Sequence, residues 1–274
     1  MIYKAPAKIN LSLDVVKKRE DGYHELKMIM QTVSLFDEID IEKSNKISLE
    51  CDKLDVPSDN RNLAWRAAEL FFNYTNITGG CKIKIKKNIP DGAGLGGGSS
   101  DAATVLISLN DIYETNLTEK ELISIAVKIG ADVPFFILKG TCLAEGIGEK
   151  LTRIKNKTNP WIIIYKPSFS ISTKWAYENL KLDNKPSYSI DKIVENLKNE
   201  NYKFEDIFNY LEDVSISQYS QINDIKMTMK KLGATGTLMS GSGSSVFGIF
   251  SNENASKKAL NYFDKNNVFL TKFI

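Results

Sequence analysis

The sequence predicts an α+β protein in two domains, and three observations carry that reading. Strand-like alternation recurs at Ile39 and Ile41, at Ile47, Leu49 and Cys51, and at Cys81, Ile83 and Ile85. Helical segments with one apolar face stand between and after these strands, without a steady βαβ rhythm. The polar stretch Lys155-Asn156-Lys157-Thr158-Asn159-Pro160 ends in proline and marks a junction, dividing the chain into residues 1–158 and 159–274.

Each element follows in order. The alternating segments read as half-buried strands of an antiparallel sheet. Asn62–Tyr74 is a helix with Ala67, Leu70, Phe71 and Tyr74 on one face. A second helix opens near Ser99 and buries Ala102, Val105, Leu106 and Leu109. A third spans Glu119–Ile129 and stops at Gly130, with Thr118 and Glu121 forming a capping box. Beyond the junction, Trp161–Tyr165 is a buried strand. Helices follow at Lys174–Leu180, at Ile190–Asn199 and along Ile222, Ile225, Met229 and Leu232. Strand Ser245–Phe250, helix Ala255–Asn266 and strand Val268–Phe273 complete the chain.

Composition sets the function class. The 274 residues are 42% hydrophobic, enough for a sizeable core. Lys+Arg is 36 against 34 Asp+Glu, a formal net charge of +2, so neither nucleic acid nor a membrane is expected as the main partner. The three cysteines, Cys51, Cys81 and Cys142, are far apart and in no CxxC pattern. They read as thiols in a reducing compartment, and with a single histidine a zinc site is not expected. The opening residues carry no basic region before an apolar stretch, so no signal peptide is expected, and no apolar run could span a bilayer. A cytoplasmic protein, monomer or homodimer, is expected.

The chemistry concentrates in five segments. The strongest is Pro90-Asp91-Gly92-Ala93-Gly94-Leu95-Gly96-Gly97-Gly98-Ser99-Ser100-Asp101, with five glycines in the seven residues 92–98, running directly into a helix. Glycines let backbone N–H groups approach an anion, and a helix start adds unpaired N–H groups and its positive dipole end. Together they predict a polyphosphate cradle. The loop lacks the Gly-Lys-Ser/Thr ending of a Walker A motif. A dinucleotide-binding reading fits GxGxxG but lacks the acid about 20 residues on.

Ala5-Pro6-Ala7-Lys8-Ile9-Asn10-Leu11 is a short apolar strand with Lys8 and Asn10 on one face, which by itself also reads as plain surface. In Gly130-Ala131-Asp132-Val133-Pro134-Phe135-Phe136, Asp132 reads either as a partly desolvated general base or as a cap of the next turn. Leu238–Val246 is a second glycine/serine loop, offering donors to another anionic group or making a tight turn. In Asp21-Gly22-Tyr23-His24-Glu25-Leu26, the lone histidine beside Tyr23 reads as structural or as a partner for a ring.

Together these segments, in this order, resemble the GHMP kinase superfamily over nearly the whole chain. The resemblance implies a two-domain fold, the N-terminal domain (1–158) like the second domain of ribosomal protein S5 and holding ATP, the C-terminal domain (159–274) ferredoxin-like and closing on substrate. It implies ATP as phosphate donor, Mg²⁺ as metal with ligands unassigned, and a cytidylated polyol as acceptor, since Gly22-Tyr23-His24 is absent from the other members at this place. Lys8 and Asp132 match the catalytic pair. Asn62 and Lys87 match residues near the adenine, and Pro90, Asp91, Gly92, Ala93, Gly94, Leu95, Gly96, Gly97, Gly98, Ser99 and Ser100 hold the nucleotide's phosphates. Asn10, Tyr23, His24, Thr173, Tyr177, Gly241 and Ser242 match the acceptor site. The rival readings are a homoserine or mevalonate kinase of the same family and a ligand sensor that no longer catalyses.

Overall fold

The computed structural model describes residues 1–182, 189–198 and 204–274. Its elements run β1 (Ile2–Lys18), β2 (His24–Ser44), β3 (Ser48–Cys51), α1 (Leu63–Thr75), β4 (Gly80–Lys86), α2 (Gly97–Ile112), α3 (Glu119–Ala126), α4 (Val133–Leu138), β5 (Thr141–Gly146) and β6 (Lys150–Ile154). They continue with β7 (Trp161–Tyr165), α5 (Thr173–Glu178), α6 (Ile190–Lys198), a 3₁₀ turn Phe204–Asp206, α7 (Glu212–Gln218), α8 (Gln221–Lys231), β8 (Gly236–Met239), β9 (Val246–Phe250), α9 (Glu253–Tyr262) and β10 (Val268–Lys272). The α+β class holds. Chain packing groups these elements into two compact units: Met1–Ala7 with Leu35–Asp91 and Gly96–Lys139, and Lys8–Ser34 with Gly92–Leu95 and Gly140–Ile274.

In the first unit the C-terminal half of β2 pairs antiparallel with β4, from Glu38↔Lys86 to Ser44↔Gly80. β3 pairs with the other edge of β4 in parallel, Ser48↔Lys82 to Cys51↔Ile85, which corrects the expectation of an all-antiparallel sheet. The reason lies in the connection. Residues 52–79 contain α1, and a helical crossover of that length returns the chain in the same direction. Alternation alone reports which face is buried, not strand direction. α1 and α2 pack on each other, and Ala64, Ala67, Ala68 and Phe71 of α1 and Ala102, Val105, Leu106 and Leu109 of α2 are buried. Burying a side chain such as Phe71 contributes about 1.5–3 kcal/mol. The Thr118–Glu121 capping box starts α3 as expected, but regular helix ends at Ala126 and residues 127–129 turn.

In the second unit β1 and β2 continue as a hairpin. β2 pairs antiparallel with β5, Leu26↔Gly146 to Gln31↔Thr141, and β5 with β6. A separate sheet has the order β10-β7-β9-β8, every pair antiparallel. α8 packs on β8 and β9, and α9 on β7 and β10. Ile162, Ile163 and Ile164 are all buried because β7 is covered on both faces. Strands β5, β6 and β8 and helices α4 and α7 are additions to the elements expected from sequence. Leu238 and Met239, expected in the second glycine loop, belong to β8. The last residue expected in α6, Asn199, lies outside the described residues. None of the cysteines forms a disulfide. Among the described residues no helix is long and apolar enough to cross a membrane.

Candidate functional site

The first unit presents the start of α2. The helix begins at Gly97, two residues before Ser99, behind Gly96 in a left-handed conformation (φ 73°), and no side chain caps it. Its first-turn N–H groups are therefore available to an anion. Ser100 Oγ and Asp101 Oδ1 are buried there without a hydrogen-bond partner, a costly arrangement in a finished core and a reasonable one for a site that takes a ligand.

Beneath this turn lies a buried ion triad. Lys87 Nζ donates to Asp37 Oδ2 at 2.5 Å and to Asp101 Oδ2 at 2.8 Å. Asp37 Oδ1 accepts from the backbone N–H groups of Asn88 and Ile89 at 2.6 and 2.8 Å. Asp37 and Lys87 thus fix where the chain enters the glycine loop, and Asp101 fixes where it leaves. Burial by itself would lower the Lys87 pKa, but Asp101 and then Asp37 outweigh it and raise it. Burial pushes the Asp101 carboxyl up to about 7, with Lys87 opposing. Asn62 is engaged locally, its Oδ1 accepting from Ala64 N as the N-cap of α1 and its Nδ2 donating to Pro57 O. Asp91 is exposed. Asp132 is half-buried immediately before α4. Its side chain makes no capping bond to that helix, so the capping alternative is not the one adopted.

The second unit gathers the residues expected at the acceptor site. Lys8 and Asn10 are only 5% and 1% exposed, so the plain-surface reading of that strand fails: β1 is covered on both faces, and Ala7, Ile9 and Leu11 are buried as well. Lys8 Nζ donates to Asn10 Oδ1 at 2.6 Å. Residues Gly92–Leu95 of the first glycine loop lie against this strand and against the second loop. Lys8 N donates to Leu95 O at 2.9 Å, Ser245 N to Ala93 O at 3.2 Å, and Ser240 Oγ to Gly94 O at 2.9 Å. The approach is so close that a Cβ on Gly94 would stand 2.1 Å from Ser240 O. Gly241 is confined less severely: a Cβ there would meet Asn10 Oδ1 at 3.2 Å and Lys8 Nζ at 3.4 Å.

Helix α5 extends the group. Its N-cap is Ser172, and Thr173 and Tyr177, four residues apart, share a face. Thr173 Oγ1 lies 2.8 Å from Ser242 Oγ. Tyr177 stacks on His24 with ring centroids 5.0 Å apart and planes 23° from parallel. Burial, then the charge of Lys18, lowers the His24 pKa, which keeps the imidazole neutral at neutral pH. Tyr23 does not join them: its side chain is 61% exposed, and its backbone closes the hairpin turn.

The sequence alone does not single out Asp37, and it gives Asp101 no role beyond its place in the loop. A signal for Asp37 was present. It occupies the inward phase of β2 shared by Val33, Ile39 and Ile41, where an acid needs a buried cation.

Comparison with known proteins follows these lines. The model of the GHMP kinases N terminal domain matches residues 62–140, and that of the GHMP kinases C terminal matches residues 190–268. A 4-diphosphocytidyl-2-C-methyl-D-erythritol kinase from Clostridium botulinum (strain Loch Maree / Type A3) is 50% identical over 254 residues, 91% of each chain. One from Clostridium beijerinckii is 45% identical over 280 residues, covering both chains fully. A crystal structure of a 4-(cytidine 5'-diphospho)-2C-methyl-D-erythritol kinase superposes with a TM-score of 0.86 at 33% identity, covering 100% of this chain and 99% of that one. A homoserine kinase from Cytophaga hutchinsonii reaches 0.80 at 19% identity, covering 100% of this chain and 97% of that one, a likeness of fold alone.

Proposed function

The chain belongs to the GHMP kinases, and from that membership we propose that it transfers the γ-phosphate of ATP to the 2-hydroxyl of 4-diphosphocytidyl-2-C-methyl-D-erythritol. The observation that carries the acceptor assignment is the double use of α5. One short helix sets Tyr177 on His24 and Thr173 on Ser242, an aromatic surface for a nucleobase beside hydroxyl donors for its phosphates. Homoserine and mevalonate kinases act on substrates without a base and have no need of the first.

Phosphoryl transfer needs positioning and charge neutralisation more than covalent help. In our reading Asp132 accepts the proton of the attacking hydroxyl, whose oxygen forms the new bond to phosphorus as the bond to the ADP oxygen breaks. Lys8, held by Asn10, offsets the charge spreading over the transferred group. The loop from Pro90 to Ser100 cradles the nucleotide's phosphates, with the unpaired first-turn N–H groups of α2 as donors. Asn62 and Lys87 stand near the adenine in this reading, Asn62 held by Pro57 and Ala64 and Lys87 by Asp37 and Asp101. Mg²⁺ is expected with the nucleotide, where it neutralises phosphate charge. Among the described residues no cluster of three His, Cys, Asp or Glu forms a resident metal site. A magnesium ion carried on phosphates needs only one or two protein oxygens, and the unpartnered Ser100 hydroxyl fits that need, with Ser99 and Asp132 as the further candidates. In chain order, residues 1–158 form the ATP-binding and catalytic part and 159–274 the part that closes on the acceptor. The cysteines outside disulfides support a cytoplasmic setting.

The test is ATP consumption with a panel of alcohols, each with and without a cytidyl group. Phosphorylation confined to the cytidylated polyol is expected, and equal turnover of a bare polyol would remove the acceptor assignment. Asp132→Asn is expected to lower kcat by at least ~10²-fold with nucleotide affinity kept. A near-normal kcat would remove Asp132 as the base.

A further inference from the structure

Asn209 has no part in the reaction as described, yet its side-chain amide ties the end of β8 to the second glycine loop. Its segment is fastened to the strand that carries Lys8 and Asn10: Leu13 N donates to Phe208 O at 2.8 Å, and Tyr210 N donates to Leu13 O at 2.9 Å. From there the buried Asn209 amide sends one N–H to Met239 O at 2.8 Å and the other to Gly241 O at 2.7 Å. Its Oδ1 accepts from Leu211 N at 3.0 Å. Two carbonyl acceptors and one N–H donor leave a single orientation for the amide group.

The consequence lies in the next peptide. The Gly241–Ser242 bond is trans, so its C=O and N–H point in opposite directions. A carbonyl drawn toward Asn209 turns the Ser242 N–H the other way. That N–H stands beside the Ser242 hydroxyl, which meets Thr173, and follows Gly241, which is pressed against Lys8 and Asn10.

We propose that Asn209 is a positioning residue that fixes the second glycine loop so that the Ser242 N–H is offered to the anionic diphosphate of the acceptor substrate. The inference rests on the acceptor reading given above. Glu212, three residues on, separates this role from simple support of the sheet. Its Oε1 accepts from Met239 N at 2.8 Å and its Oε2 is paired with Lys226, so it holds β8 without touching the Gly241–Ser242 peptide.

The experiment measures KM for the phosphorylated alcohol, nucleotide Kd and melting temperature for wild type, Asn209→Ala, Asn209→Asp and Glu212→Gln. Both Asn209 variants are expected to raise the alcohol KM by ~10-fold or more, since two hydrogen bonds that orient the loop are lost. Asn209→Asp is the worse of the two, because a carboxylate would face two carbonyl oxygens. Nucleotide Kd stays within ~2-fold in both, and Glu212→Gln lowers the melting temperature while leaving the alcohol KM within ~2-fold. An unchanged alcohol KM in Asn209→Ala overturns the inference, as does an equal rise in Glu212→Gln, which would reduce Asn209 to packing. Should Asn209→Asp not fold, the uncharged Asn209→Ala decides alone. If wild type phosphorylates no cytidylated alcohol, the acceptor reading fails instead, a result visible before any variant is made.

Discussion

The two glycine-rich loops are built from the same residue types and held by different means. The first runs into α2, a helix of 16 residues, and regular secondary structure itself aims the N–H groups at its mouth. The second, between β8 and β9, has no helix behind it. Its Gly241 carbonyl is gripped by Asn209, which also holds Met239 O at the end of β8; its Gly241 Cα stands against Lys8 and Asn10, and Ser240 N bonds to Ser245 O across its base. The difference teaches where precision comes from. A helix start is an anion site by local geometry, whereas a strand-to-strand loop becomes one only through side chains distant in sequence.

Four substitutions sharpen or break that comparison, in falling order of expected effect. Gly94→Ala strikes the first loop where it meets the second. With φ at 73° and Ser240 O 2.1 Å from the added Cβ, neither loop can keep its place, and turnover should fall by ~10²-fold or more. Near-wild-type turnover would show that the close approach is not needed. Lys87→Met removes the cation under the first loop only. Two buried carboxylates lose their shared partner, and denaturant unfolding should register a loss of about 3–5 kcal/mol. A loss below about 1 kcal/mol would mean that the triad relaxes easily.

Gly97→Val is milder and more selective. A Cβ at Gly97 meets Ile89 Cγ2 and Lys87 Nζ at 3.2 Å, so the first turn of α2 must shift. Nucleotide Kd should rise ~10-fold while the alcohol KM stays within ~2-fold, the two loops then failing independently. Parallel changes in both constants would couple them. The smallest effect on the loops themselves concerns pH. Burial pushes the Asp101 carboxyl up to about 7 in the fold, well above the ordinary carboxylate range. Between about pH 4 and pH 7 the folded chain therefore holds a proton at Asp101 that the unfolded chain has released, and Asp101's contribution to stability falls as pH rises through that window. Asp101→Asn lacks this slope, so its stability relative to wild type should climb from pH 4 to pH 7. A flat difference would place the proton elsewhere.

Legibility in the sequence followed the same division. The glycine loop at the start of α2, the Thr118–Glu121 capping box and most of the faces of α1 and α8 were readable, because each is set by residues within a few positions of one another, whereas Tyr74, expected on the apolar face of α1, is exposed. The burial of Lys8 and Asn10 was not readable. Their alternation with Ala7, Ile9 and Leu11 is that of a half-exposed strand, and only the elements packed on both faces of β1 make it a core strand. The parallel register of β3 and β4 was hidden for a related reason, since period-2 patterning is blind to direction. Asp37 and Asn209 gave the weakest signals: the partners of Asp37 lie 50 or more positions away, and the carbonyls that take the two amide N–H groups of Asn209 lie 30 or more positions away.

The sequence by itself determined the fold class, the family and the glycine loop at the head of a helix, because local spacing and residue type encode all of these. Tertiary structure alone decided what the polar residues are bonded to: which lysine is spent on two carboxylates, which strand is buried on both faces, and which way the second loop's peptides point. Such outcomes depend on contacts between segments far apart in the chain, and the energy of a buried charge or amide is set by the partner that folding brings to it.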